Sequence, residues 1–151
     1  SVNAASNSLL KTAKKRIKEN AQLLKGENRV LCHSDLNLGN IIIKGNSLKI
    51  IDWESIQINN IAYDPAYVIT HLWQAKKSTR KRFLKKFFSL LDKEKRRSFV
   101  RLFPITIFYL AAGGIGFIPP EVSSPLLKKR KEFFQKLLER SFLGIDSLMD
   151  I

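Results

Sequence analysis

His33-Ser34-Asp35-Leu36-Asn37-Leu38-Gly39-Asn40 leads into Ile41-Ile42-Ile43-Lys44-Gly45-Asn46-Ser47-Leu48-Lys49-Ile50-Ile51, which ends on Asp52-Trp53-Glu54. The middle segment consists of two short β-branched runs on either side of Gly45-Asn46, the signals of a two-stranded hairpin. A hairpin folds its ends together. The residue just before the first strand, Asn40, and the residue just after the second, Asp52, are therefore expected side by side, with Asp35 on the loop that leads in. Two carboxylates and a carboxamide on one small volume suit phosphoryl transfer. Mg²⁺ favours one or two carboxylates with an amide oxygen and keeps several waters, which assigns Asn40 and Asp52 to the metal. A separate carboxylate must accept the proton of an attacking hydroxyl, and Asp35 suits that role. An isolated His-x-Asp is more often a loop bonding its own backbone; the added Asn40 and apolar-flanked Asp52 favour the site.

His33-Ser34-Asp35 with Asn40, and Ile51-Asp52-Trp53-Glu54, resemble the two active-site motifs of the aminoglycoside phosphotransferase and choline kinase superfamily, relatives of the protein kinases. The resemblance extends to Asp64, where that family has an acid opening the next long helix, and it covers residues 31–70. It implies ATP as phosphoryl donor, Mg²⁺ as cofactor, Asp35 as catalytic base, Asn40 and Asp52 as metal ligands, and His33 and Asp64 as braces of the catalytic loop. Trp53 and Glu54 stand where protein kinases have Phe and Gly, in the substrate or nucleotide neighbourhood. Two positions depart from the family pattern. Ser34 replaces the more usual Gly or Asn, and Pro65-Ala66 replaces a Leu-Ala pair. Asp64 before Pro65 also reads as an ordinary helix N-cap with Pro at the first helical position, so cap and brace both stay open.

The superfamily carries a β-rich N-terminal lobe with a phosphate-covering loop and a phosphate-gripping lysine. Here the residues before His33 read as helix instead, with Leu9, Leu10, Ala13, Ile17, Ala21 and Leu24 near a 3,4 spacing. The expected fold is mainly α with a small β-hairpin. It is the helical C-lobe of a kinase-like phosphotransferase, with the N-lobe expected in the same longer chain. That gives one domain over residues 1–151, with a leading helix at 1–25, the catalytic loop and metal-binding hairpin at 31–54, and a helical subdomain at 65–151.

The helical part is read from apolar spacing and stop signals. Residues 65–75 form a mostly apolar helix behind the site, with Tyr67, Val68, His71 and Leu72. Residues 78–91 are amphipathic, with Phe83, Leu84, Phe87, Phe88, Leu90 and Leu91 inward, and residues 94–103 resume after Asp92-Lys93. Residues 102–118 are the most apolar stretch, short of the ~20 residues of a membrane span; they read as a buried helix ending in a Gly-rich turn. Pro119-Pro120 is a stop, and a last helix from Pro125 to Phe142, capped by Ser123 or Ser124, ends at Gly144. The phenylalanines read as core. His71 and Trp73 either pack or line the acceptor pocket.

With 151 residues and 44% hydrophobic content, the chain is long enough for a core without staples. The single cysteine, Cys32, reads as a buried small hydrophobe in a reducing compartment, which points to the cytoplasm. Net charge is +14, unevenly placed. Residues 27–64 carry −2, with Glu27 among the acids, and residues 76–101 carry +10. If the helices after Asp64 supply the acceptor pocket, this basic shell argues against a polycationic acceptor and for a neutral or anionic one; the alternative is a solvated helical face. The runs Lys76-Lys77-Ser78-Thr79-Arg80-Lys81-Arg82 and Lys93-Glu94-Lys95-Arg96-Arg97 also admit a second class of function. That class is a non-catalytic basic helical module that binds nucleic acid, an acidic membrane surface or a protein partner. No aromatic stacking platform accompanies them. The intact Asp35, Asn40 and Asp52 favour the enzyme.

Overall fold

The structure is a computed structural model that describes residues 11–12, 15–16, 18–26, 29–119 and 123–150. Leu9, Leu10, Ala13 and Ile17 of the expected leading helix, together with Glu27 and Pro120, lie outside the described residues. A short helix α1 (Ala21–Lys25) precedes strand β1 (Arg29–Cys32). The hairpin follows as β2 (Ile41–Lys44) and β3 (Ser47–Ile50), and β4 (Gln57–Asn60) comes next. Among the described residues five helices follow: α2 (Tyr63–His71), α3 (Lys77–Leu90), α4 (Lys93–Gly116), α5 (Pro125–Phe142) and α6 (Ile145–Leu148). The chain is mainly helical with two small antiparallel ribbons.

In the hairpin Ile41 pairs with Ile50 and Ile43 with Leu48. Its two-residue turn places Gly45 at φ 58, a left-handed angle that a residue without Cβ adopts at no steric cost. The second ribbon, β1 with β4, pairs Arg29 with Asn60 and Cys32 with Gln57. Sequence reasoning missed β4, because Gln57-Ile58-Asn59-Asn60 offers one apolar side chain and no alternation. The strand exists through its partner and through Asn60. The Asn60 side chain is buried; its Oδ1 accepts the Ala62 N–H at 3.0 Å and the Thr106 hydroxyl at 3.3 Å. The Cys32 thiol donates to the Asn60 carbonyl at 3.7 Å, and burial pushes that thiol up to about 11.

Helix α4 is one continuous element, where the sequence suggested two overlapping ones. Pro104 lies inside it. A proline there forfeits the bond to the Val100 carbonyl, and Val100 sits on the exposed face, where that loss is smallest. By length and composition α4 would suffice to cross a membrane, yet 56% of its apolar window is buried inside the protein. Residues 102–108 are all buried. Around them gather Phe99, Leu137 and Leu138, with the Phe99 and Phe103 rings stacked at 4.7 Å. Each such side chain contributes about 1.5–3 kcal/mol of burial. Leu84 is the fully buried residue of α3, whereas Leu90, expected inward, is 71% exposed. Six positions on, Leu90 points about 240° around the helix from Leu84. Phe117 and Phe142 are likewise exposed. Trp73 packs against the core.

Helices α4 and α5 approach closely at Gly114, where a Cβ would come within 2.6 Å of the Phe134 ring, while a Cβ at Gly113 meets nothing within 4 Å. Gly113→Ala should therefore gain about 0.5–1 kcal/mol from helix propensity. Gly114→Ala should lose about 1–3 kcal/mol to overpacking, less that same propensity gain. Urea denaturation of the pair checks the opposite signs; equal shifts would remove the close-approach account.

Candidate phosphoryl-transfer site

The loop between β1 and β2 is tied down from three sides. The Asp64 carboxylate accepts the backbone N–H of His33 at 2.8 Å through Oδ2 and that of Ser34 at 3.0 Å through Oδ1. Asp64 is not the helix N-cap: Ala62 holds that position, and Asp64 lies in the first turn of α2. The cap is displaced because Asn60 already organises the helix entry and both oxygens of Asp64 are committed to the loop. The buried His33 ring sits at the centre. Its Nε2 lies 2.8 Å from the Ile51 carbonyl, which can only accept, so Nε2 carries the proton; Nδ1 is then free to accept the Asp35 N–H at 3.4 Å. Trp53 packs over this ring at 4.7 Å and donates its Nε1–H to the Ile50 carbonyl at 3.0 Å.

Ser34 and Asp52 are the two described non-glycine residues with positive φ, at 67° and 62°. The angle at Ser34 explains why Gly or Asn would fit there: both tolerate the left-handed region. Serine pays for it twice. Its buried Oγ has no hydrogen-bond partner among the described residues.

Asp35 is half-buried and heavily bonded. Oδ1 accepts the Tyr67 hydroxyl at 2.7 Å and the Asn37 amide at 3.1 Å; Oδ2 accepts the Asn40 amide at 3.1 Å. The Tyr67 hydroxyl first, and the Asn37 amide next, hold this carboxyl below the usual carboxylate range. Burial, followed by the bond to Asp35, pushes the Tyr67 phenol well up. Asn40 is buried and also gives Nδ2 to the Asp35 carbonyl at 2.8 Å. The Ile51 N–H donates to the Asn40 carbonyl at 3.0 Å, which extends the ladder to the residue before Asp52. Asp52 and Glu54 are exposed.

Among the described residues no group of three or more His, Cys, Asp and Glu is placed to hold a metal. Asp52 and Asn40 offer one carboxylate and one amide oxygen. These are hard ligands too few for a closed cage, and they suit an ion that keeps its waters and shares phosphate oxygens, as Mg²⁺ does. A separate cavity of about 400 Å³ opens beside the β1–β4 ribbon, lined in part by Arg29, Asn59, Tyr63 and Tyr109. None of Asp35, Asn40 or Asp52 borders it.

Tyr67 is the site residue that sequence reasoning missed. It was placed on a helix behind the site, when its hydroxyl in fact reaches the candidate base. The available signal was its position three after Asp64, which puts both on one face of α2. The His71 ring stacks on Tyr67 at 4.4 Å, and its Nδ1 lies 2.9 Å from the Tyr67 carbonyl.

The family model for the phosphotransferase enzyme family matches residues 4–99, and the chain belongs to that family. No curated protein and no solved structure matches the chain. The family is the one that the resemblance at residues 31–70 indicated, and it carries small-molecule kinases.

Two outcomes test the geometry. Ser34→Gly should raise stability by about 1 kcal/mol, because it removes left-handed strain and a buried unpaired hydroxyl. Denaturant midpoints would read this, and a loss of stability would mean that the hydroxyl is bonded. Tyr67→Phe should raise the Asp35 pKa toward the unperturbed value of about 3.9, read by carbon NMR titration of its carboxyl. Since Asp35 is depressed in the folded state, its bonds stabilise the fold at neutral pH and lose that effect as pH falls through the folded pKa. An unmoved carboxyl in the phenylalanine variant would contradict the bond.

Proposed function

We propose that this chain is the helical C-lobe of a small-molecule kinase that moves the terminal phosphoryl group of ATP, with Mg²⁺, onto a hydroxyl of its acceptor. The observation that carries the reading is convergence on one loop: Asp35 held by three side-chain donors, and Asn40 drawn next to the Asp52 strand end by the hairpin register. Asp35 is the base. A carboxylate has about four lone-pair positions. Oδ1 already accepts two donors and Oδ2 one, so Oδ2 keeps a position for the acceptor hydroxyl, whose proton it takes as the oxygen attacks phosphorus. His33 and Asp64 fix the loop so that this oxygen stays in place. Asp52 and Asn40 are the residues that would hold Mg²⁺, and the bound ion supplies positive charge against the phosphate oxygens.

The reading leaves the nucleotide-covering lobe to sequence outside these 151 residues. It gives that lobe a surface to meet, since Leu31, Ile43, Leu48 and Ile58 on the two ribbons are all more than half exposed. Trp53 and Glu54, exposed after the metal aspartate, fall in the nucleotide or substrate neighbourhood. A buried, unpaired Cys32 thiol suits a reducing cytoplasm.

In the longer protein that carries both lobes, Asp35→Ala should lower ATP-dependent phosphorylation by about 10²–10⁴-fold. Asp52→Ala should abolish its metal dependence along with turnover. Circular dichroism should stay near that of the parent in both variants, with a lower thermal midpoint for Asp35→Ala, which loses the bonds from Tyr67, Asn37 and Asn40. Near-normal turnover in either variant would sink the assignment.

A further inference from the structure

The strongest positive charge of the chain lies away from the catalytic loop, on the hairpin of helices α3 and α4. Some of it is spent internally. Lys77 and Lys81 pair with Asp150 at 2.8 Å, and Lys95 pairs with Asp92 at 2.9 Å. Arg80 bonds the carbonyls of Leu72 and Ala75, and Arg96 those of Phe88 and Ser89. The rest has no such outlet. Among the described residues Arg82, Lys85, Lys86, Lys93 and Arg97 make no ion pair, and all five are exposed.

These cations do not stand on a polar surface. A groove of about 540 Å³ on α3 has Phe83, Phe87 and Leu90 along its floor and Arg82 and Lys86 on its rim. A second, of about 840 Å³ on α4, sets Val100 among Lys93, Arg96 and Arg97. The first ends at Leu90 and the second begins at Lys93, either side of the two-residue corner Leu91-Asp92. Arg82, Lys86 and Leu90 follow one another at four-residue spacing, so they form a single stripe on one face. Leu90 is 71% exposed, on a face turned away from the buried Leu84. Basic side chains bordering exposed apolar surface can lay their long apolar stems along it and hold their charged heads at an interface.

A nucleic acid would ask for exposed aromatic faces on which bases stack, and Phe83 and Phe87 are half-buried and packed against the core. An anionic phospholipid surface asks for what is present: cations in a row and an apolar side chain at the tip between them. We propose that the α3–α4 hairpin docks on anionic phospholipid bilayers, with Leu90 entering the headgroup layer and Arg82, Lys86, Lys93 and Arg97 meeting lipid phosphates. The catalytic loop takes no part in this contact, so the activity and the docking are independent.

The test uses the full 151-residue chain and co-sedimentation with vesicles of phosphatidylcholine alone, or with roughly 30% phosphatidylglycerol. Binding is expected to the anionic vesicles only, and to fade as salt rises from about 0.1 M to about 1 M. Arg82→Gln with Lys86→Gln should weaken it about 25-fold, at about fivefold per cation. Leu90→Ser should weaken it severalfold with no change of charge. Lys128→Gln with Lys129→Gln on α5 makes the same charge change elsewhere and should cost less than either. The proposal is overturned by absent binding, by an equal loss in the α5 pair, by no effect of Leu90→Ser, or by a single-stranded RNA that binds the chain more tightly than the vesicles do.

Discussion

One carboxylate holds the functional loop in shape. Asp64, in the first turn of α2, where negative charge is favoured, takes the N–H groups of His33 and Ser34 on its two oxygens. Both amides point into the protein at a place where the chain turns through a left-handed residue and has no strand partner. Without Asp64 two buried donors would be left unpaired, each at about 1–3 kcal/mol. From there the constraint passes through the His33 ring to the Ile51 carbonyl, and so to the residue before Asp52. Helix, loop and hairpin are three local elements, and Asp64 with His33 is what sets their mutual position.

The support for Asp64 lies deeper. Asn60 ends β4, bonds Ala62 at the helix entry and receives the Thr106 hydroxyl from α4. That ties the start of α2 to the buried centre of the longest helix, whose phenylalanines make the core. A hydrophobic core by itself would tolerate α2 sliding along its axis. A buried amide with fixed donors does not, and the site inherits that precision.

Much of this was legible before any coordinates. The hairpin followed from β-branched runs around Gly45-Asn46, and the helices from apolar spacing, because both depend on near neighbours. The family followed from Asp35, Asn40 and Asp52 at fitting distances. What escaped depends on distant partners. Strand β4 has one apolar residue and exists through β1. Asp64 read equally as a cap and as a loop brace, because Asp-Pro is a good helix start and nothing in that dipeptide reveals that Asn60 has already taken the entry. Tyr67 looked like part of an apolar helix, and its hydroxyl gained meaning only from Asp35, far away in sequence. Leu90 satisfied an amphipathic count yet falls on the outer face. Ser34, a departure from the family pattern, turned out to stand at the strained angle that the pattern serves.

The central claim is that Asn40 and Asp52, positioned through Asp64 and His33, form one metal-phosphate site with Asp35 beside it. Paramagnetic relaxation by Mn²⁺, added with ATP in place of Mg²⁺, tests it most directly. The account predicts that backbone NMR signals broaden first around Asn40, Ile51 and Asp52, and that Asp52→Ala removes this pattern while leaving the rest of the spectrum in place. Broadening centred on other acidic residues, such as Asp146 and Asp150, or a pattern indifferent to Asp52→Ala, would contradict it.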